Sequence, residues 1–351
     1  MSVMPQASIV GWGIQPSKGV APTTFYKHPA LNADLSEIDD VRVSPPEING
    51  VPVPSAPYSV GPAAQGGIRI NPRLAGVIGW LLKAIAGNVT TTADTPEVGA
   101  NTHVFAIDST TNIPYVTVRE LVKGNTAADD FGRDIKDAKV VQARFALSND
   151  GLLPVDFGFL GRDYQHYSAA DVASWTWGNT DEPDSSIPYS SVNAGYLQVP
   201  GLATGDLPIA GGTVTFVNNP NDIRRERVYG SPYMDEVTIV SKGINLELAL
   251  LYKNADMYRA IMDGSATGTG WTPAPFTSDV DIMLQSTANI GATSTPYSLR
   301  IQIPNVMFTV RRGLQLAGDQ SIILNVVGTA VKPASGNFAT ITLVNDYTAY
   351  P

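Results

Sequence analysis

One kind of segment occurs twice in this chain, once in each half. The first copy reads GGIRINPRLAGVIGWLLKAIAGN, from Gly66 to Asn88. The second reads SKGINLELALLYKNADMYRAIMDG, from Ser241 to Gly264. Each is a strand pattern followed by one helix that ends at a glycine. Tandem segments of this sort constrain the chain to build two similar units. Its 351 residues fit two domains of ~100–200 residues each. The expected division is 1–175 and 176–351. The linker is placed at about 174–196, where SWTWGNTDEPDSSIPYSSVNAGY is rich in Ser, Asp, Pro and Asn and lacks periodicity.

Similar patterns follow both helices. The first helix is expected to be capped by Asn71, with Pro72 at its first position and Gly87 as a left-handed stop. Asn254 and Gly264 would bound the second. Strands THVFAID and YVTVREL (Thr102–Asp108, Tyr115–Leu121) follow the first helix. DVDIMLQ and YSLRIQI (Asp279–Gln285, Tyr297–Ile303) follow the second. Alternation of Leu299, Ile301 and Ile303 with Ser298, Arg300 and Gln302 is the two-residue period of a half-buried strand. Each half then reads as a terminal hairpin, turning at Ser148–Gly151 and at Pro333–Gly336. Long loops are expected at Val43–Gly67 and Val217–Glu236. Thirty-two glycines, 26 prolines and many Thr and Val agree with this reading. The fold class is mainly β, with one helix per module and two tandem sandwich or barrel modules.

Little in the sequence points to catalysis. The absence of cysteine excludes disulfides and thiolate metal sites. His28, His103 and His166 are far apart and lack metal-ligand spacing. No G-x-S-x-G elbow, Walker loop or G-x-G-x-x-G turn occurs. GSATGTG (Gly264–Gly270) follows a helix instead of opening one, so it cannot cradle phosphate in the usual way. Carboxylates gather at Glu37, Asp39 and Asp40, at Asp129, Asp130 and Asp134, and at Asp181, Glu182 and Asp184. None has calcium-loop spacing, and they read as solvated loop charges. Trp80, Trp175, Trp177 and Trp271 are scattered and read as packing residues, not as a sugar platform. No catalytic, cofactor or metal residue is assigned, and no cofactor is expected.

The net charge is −9. Residues 1–175 carry 13 basic and 17 acidic side chains, and residues 176–351 carry 10 and 15. Neither half is a basic nucleic-acid-binding module. The one basic cluster, Arg224, Arg225 and Arg227 around Glu226, lies in an expected loop. MSVMPQASIV lacks the features of a signal peptide, and Leu74–Ala86 is too short to span a bilayer. No membrane partner is expected.

The opening VGWGIQPSKGVAPTTFYKH (Val10–His28) resembles the start of tail tube proteins of long-tailed, siphovirus-type bacteriophages. Gly13, Gly19, Pro22, Thr23 and Phe25 carry the likeness. GWLLKAIAGNVTTT (Gly79–Thr92) and THVFAID extend it, over roughly residues 10–165. The resemblance implies tail-tube-type modules whose copies pair strands edge to edge into rings, and rings that stack into a hollow virion tail. Related tubes have six such domains per ring, so two per chain imply a trimer with pseudo-sixfold symmetry. The chain would assemble in the bacterial host cytoplasm with itself and with tape-measure, tail terminator and tail-tip proteins. Double-stranded DNA would pass through without specific binding, repelled by lumenal acid. Glu120, Gln142 and Gln302 are candidate lumen residues. Arg224, Arg225, Glu226 and Arg227 form the candidate inter-ring loop. Two alternatives are the inner tube of a contractile tail or secretion system, and a carbohydrate-binding or hydrolytic tail-tip protein.

Overall fold

The structure, a computed structural model, describes residues 7–45, 57–94, 98–108, 112–149, 151–178, 194–198, 209–231, 233–252, 255–263, 276–310 and 322–350, with a few single positions between them. In the first half the elements are β1 (Ile9–Ile14), β2 (Tyr26–Lys27), β3 (Ala30–Val43), β4 (Pro57–Ile70), α1 (Ile78–Ala86), β5 (Thr90–Ala93), β6 (Asn101–Ile107), β7 (Val116–Val122), β8 (Phe131–Ser148), β9 (Val155–Gly161), β10 (Asp163–Tyr167) and α2 (Ala169–Val172). In the second half they are β11 (Ala194–Gln198), β12 (Ile209–Pro220), β13 (Ile239–Leu251), α3 (Ala255–Asp263), β14 (Phe276–Asn289), β15 (Pro296–Val310), β16 (Ile323–Ala330) and β17 (Ala339–Asn345). The fold is mainly β, as the alternation predicts.

Pairing gives the architecture. One antiparallel run has the order β3-β4-β9-β8-β12-β13-β16-β15. Its first four strands belong to the first half and its last four to the second. The joint between the halves is β8 against β12, with Phe145 opposite Val214 and Ala143 opposite Phe216. Two long strands each serve two neighbourhoods. The beginning of β8 pairs with β7 and β10, and its remainder with β9 and β12. The beginning of β15 pairs with β17 and its end with β16, while β14 runs beside it from Pro296 to Phe308. β1 lies beside β7, and β11 lies beside β14. Asp137 lies where β8 passes from one set of partners to the other. Asp137 adopts φ 47°, and its carboxylate accepts bonds from Gln15 Nε2 at 2.9 Å, the Gly19 amide at 2.7 Å and Arg162 at 3.0 Å. These bonds offset the cost of left-handed backbone at a residue other than glycine.

Four expectations change. Asn71 and Pro72 do not start the helix; it begins at Ile78, because Gly76 at φ 74° breaks any earlier turn. Gly87 does end it, at φ 98° with its amide on the Lys83 carbonyl. The expected loop at Val43–Gly67 is strand from Pro57 onward, where β4 starts. β16 and β17 do not pair with each other, so no hairpin turns at Pro333–Gly336; both strands pair with β15. By pairing, β14 and β15 answer to β7 and β8, one strand out of step with the sequence comparison. The cap Asn254, the stop Gly264 and most of the expected linker lie outside the described residues.

A single apolar cluster runs through both halves. α1 buries every residue except Lys83 in it. Its cover comes from the far end of the sequence. Tyr350 donates its hydroxyl to the Gly76 carbonyl at 2.5 Å and packs edge-on to Trp80. A Cβ on Gly79 would come within 2.1 Å of the Tyr350 ring, so only glycine fits there. Asn345 completes the lock, donating to Leu74 O and lying 3.0 Å from His103 Nε2.

Candidate assembly surfaces

The eight-strand run has two faces. Toward the core point Ile68, Phe157, Ala143, Phe145, Val214, Phe216, Leu246, Leu248, Leu324 and Val326, all buried. Away from it point Asp34, Gln65, Arg69, Asp156, Gln142, Arg144, Thr215, Asn245, Glu247, Asn325 and Thr309. The second set is polar and mixed in charge. Arg144 lies opposite Asp156, and Arg69 approaches Asp156 at 3.6 Å. Of the three lumen candidates, Gln142 lies on this face. Glu120 is on β7 in an ion pair with Arg133, and Gln302 is on the part of β15 that pairs with β14 and β17.

The two ends of the run differ. β3 pairs only with β4 among the described strands, leaving a fourteen-residue edge. Asp34, Glu37, Asp39 and Asp40 line its sequence, and charges of this kind discourage indiscriminate strand addition. The opposite end of the run is the end of β15, whose outer side is paired with Phe276–Ser278 of β14.

The β12–β13 connection holds the arginine cluster. It folds back over the first half. Met234 and Val237 pack on Ala63 and Leu160 in a small second core. Arg162 donates to the Met234 carbonyl at 2.8 Å, and Lys18 pairs with Asp235 at 2.8 Å. Glu236 accepts from the Tyr115 hydroxyl at 2.5 Å and from Lys139 at 3.3 Å. The Tyr115 bond chiefly holds the Glu236 carboxyl below its usual range. Within the cluster the roles separate. Arg227 donates to Gly61 O at 2.7 Å, and Glu226 accepts from Asn221 at 2.5 Å. Arg224 and Arg225 are exposed, as are Val228 and Tyr229 at the tip. The packing of Met234 and Val237 had no sequence signal beyond two apolar residues in a polar stretch.

The sequence clusters that could have meant chemistry are structural. Asp134 is buried and receives Arg119 on both oxygens, at 2.9 and 2.8 Å, with Tyr167 at 3.1 Å. The Arg119 guanidinium sits 3.6 Å from the Phe25 ring centre and 4.0 Å from that of Trp175. This stack pins the segment after Tyr167 to the amino-terminal strands. Asp130 accepts from Lys123 and from the Gly124 amide, which lower its pKa, while Asp129 caps Thr126. His28 is buried beside Trp12; burial and then Arg73 push its pKa down to about 3. His103 is bonded to Thr91 and Asn345, and His166 to Glu37. Trp80 lies in the core and Trp177 lies against Gly11; Trp271 and the acids at 181–184 lie outside the described residues. Among the described residues, no three His, Asp or Glu side chains converge as a metal site. No helix there is long and apolar enough to cross a membrane.

A cavity of about 440 Å³ opens between the halves, lined by Lys139, Glu236, Lys242, Lys332 and Phe338 among others. Lys139 is committed to Glu236, and Lys242 donates to Asp108 O at 2.9 Å, so these two lysines serve the joint. The site that stands out is therefore an extended sheet with a polar face, an open β3 edge and a loop with an exposed tip, which suits self-assembly. No curated protein matches the chain. A family model described as phage tail tube protein matches residues 6–342, nearly the whole length. Sheet, edge and match agree, and the chain belongs to the phage tail tube protein family, a structural family whose members self-assemble into the tube of the virion's tail.

Proposed function

We propose that the chain holds two tube modules, residues 1–175 and 176–351, and that three copies close a pseudo-sixfold ring. The carrying observation is the repeated strand order. β3-β4-β9-β8 and β12-β13-β16-β15 have the same sequence of pairings, each beginning with a long hairpin. Each is flanked in the same way, by β1, β7 and β10 in one half and by β11, β14 and β17 in the other.

Ring size follows from geometry. With strands about 4.8 Å apart and tilted about 40°, twenty-four strands from three copies make a barrel roughly 48 Å across the backbone. Sixteen strands from two copies would give roughly 32 Å, and side chains would leave too little room for hydrated duplex DNA. In the three-copy ring the polar face lines the lumen. Its mixed charges give DNA no continuous basic track, so phosphate is not held. Rings stack through the β12–β13 loop, with Arg224 and Arg225 meeting acids of the adjacent ring. The tube is that of a siphovirus-type tail. It is assembled in the host cytoplasm with tape-measure, terminator and tail-tip proteins, and it conducts the genome at ejection.

Electron microscopy of the purified chain tests this reading, with mass measurement of single rings. Stacked rings of three chains are expected; six chains per ring would overturn the trimer. Deleting Asp222–Gly230 should leave rings without long tubes, and normal tubes would remove the stacking role.

A further inference from the structure

The joint inside the chain is a template for the joint between chains. Ala143 of β8 faces Phe157 of β9 on one side and Phe216 of β12 on the other. The residue in the same place on β15 is Phe308, which faces Gly328 of β16 on one side. Its other side is occupied in the single chain by Phe276 of β14, and Met307 beside it is occupied by Thr277. The first half has no such cover. β7 begins at Val116, opposite Ala138, and Pro114 just before it has no amide proton to extend the ladder. β14 runs three residues further along its partner, past a register shift between Ser278 and Val280. That irregularity separates a short strap, Phe276–Ser278, from the rest of the strand.

We propose that β3 of a second copy takes this edge of β15, with Leu35 opposite Phe308 and Asp34 opposite Thr309, and that the strap must first leave it. The inference rests on the ring reading above. The register comes from superposing pairings. Phe216 of β12 and Leu35 of β3 occupy the same place in their hairpins, opposite Ile244 and Gly66 respectively. Phe216 and Leu35 are both buried on the core side, as is Phe308. The match therefore keeps apolar side chains inward and polar ones outward across the new joint, as register demands. The strap holds an edge that would otherwise be open in the free chain. Exchange replaces the three pairs of the strap with a ladder along Val306–Val310, opposite Ala33–Glu37 in this register. Polymerisation is thus gated by release of two or three residues, with no refolding of either half.

The cysteine-free sequence makes the test direct. In Asp34→Cys/Thr309→Cys, mild oxidation of assembled tubes should link neighbouring copies into covalent rings. The offset pair Ser36→Cys/Thr309→Cys should link far less, because diagonal neighbours lie beyond disulfide reach. In Thr277→Cys/Met307→Cys, oxidation of the free chain should lock the strap and abolish pelletable tube, and reduction of the same sample should restore it. Normal tubes with no linkage at 34–309 would overturn the register. Undiminished assembly of the fully oxidised lock would overturn the strap. Both results would leave the tube reading standing, whereas failure of the unmodified chain to form rings would remove the reading and the inference together.

Discussion

The two halves use the same pairings but treat their helices and hairpins differently. α1 is sunk in the core and sealed by Tyr350, whereas α3 keeps Asp256 and Arg259 exposed. The β3–β4 hairpin carries Val41, Val43 and Tyr58 exposed toward its tip. The β12–β13 hairpin ends sooner, and its connection turns back onto the first half through Met234 and Val237. The difference teaches which contacts are internal to the subunit. The second half's loop already has its neighbour, the first half of the same chain. The first half's hairpin receives that loop on Gly61 and Ala63 but leaves Val41, Val43 and Tyr58 exposed, and the proposed ring gives that exposed part to another copy.

The largest effect expected is at the seal. Tyr350→Ala removes the Gly76 bond and the packing on Trp80, and should cost about 3–5 kcal/mol in denaturant unfolding. Tyr258→Ala in α3 should cost about 1–2 kcal/mol, because Tyr258 packs against the core only partly buried. Equal losses would break the contrast between the helices. Arg119→Met strands the buried Asp134 carboxylate and should cost about 3 kcal/mol, read in the same assay. Met234→Ala should cost about 2–3 kcal/mol and speed proteolysis within 221–238, while β3 is cut no faster. Unchanged cleavage of that loop would mean its packing is not what holds it.

Mild acid probes a buried group of the first half. His28 has its folded pKa lowered from 6.5 to about 3. The unfolded chain therefore takes up the proton first. The stability is fully present above pH 6.5 and declines as pH falls toward 3, by about 2 kcal/mol at pH 5. His28→Gln should flatten that slope in pH-dependent unfolding. The smallest effect should be Arg224→Ala/Arg225→Ala. Stability should stay within about 0.5 kcal/mol, since both side chains are exposed. Tube elongation should slow and lose sensitivity to salt, and unchanged elongation would detach these arginines from stacking.

Much of the fold was legible as local periodicity. The two strand-and-helix segments, the alternation in β15 and the turn near Ser148 all appear where the sequence puts them. Partner choice was not legible. A two-residue period says which face of β15 is buried, but not that β16 and β17 take different stretches of it. The start of α1 was misread because Asn71-Pro72 looks like a cap, while the backbone break comes from Gly76 in the left-handed region. Charge singles out the candidate loop at Arg224–Arg227. Charge could not separate Arg227, which holds Gly61, from Arg224 and Arg225, which are exposed.

The seal on α1 has a consequence in time. Tyr350 and Gly76 are 274 positions apart. At about 5–20 residues per second, the ribosome needs roughly 14–55 s to make the intervening chain. Throughout that interval the apolar helix of the first half lacks its lid. A nascent chain can therefore pair its early strands but cannot finish its core. Polymerisation-competent subunits should appear only after the second half has emerged, and fragments cut short before Asn345 should be poor building blocks.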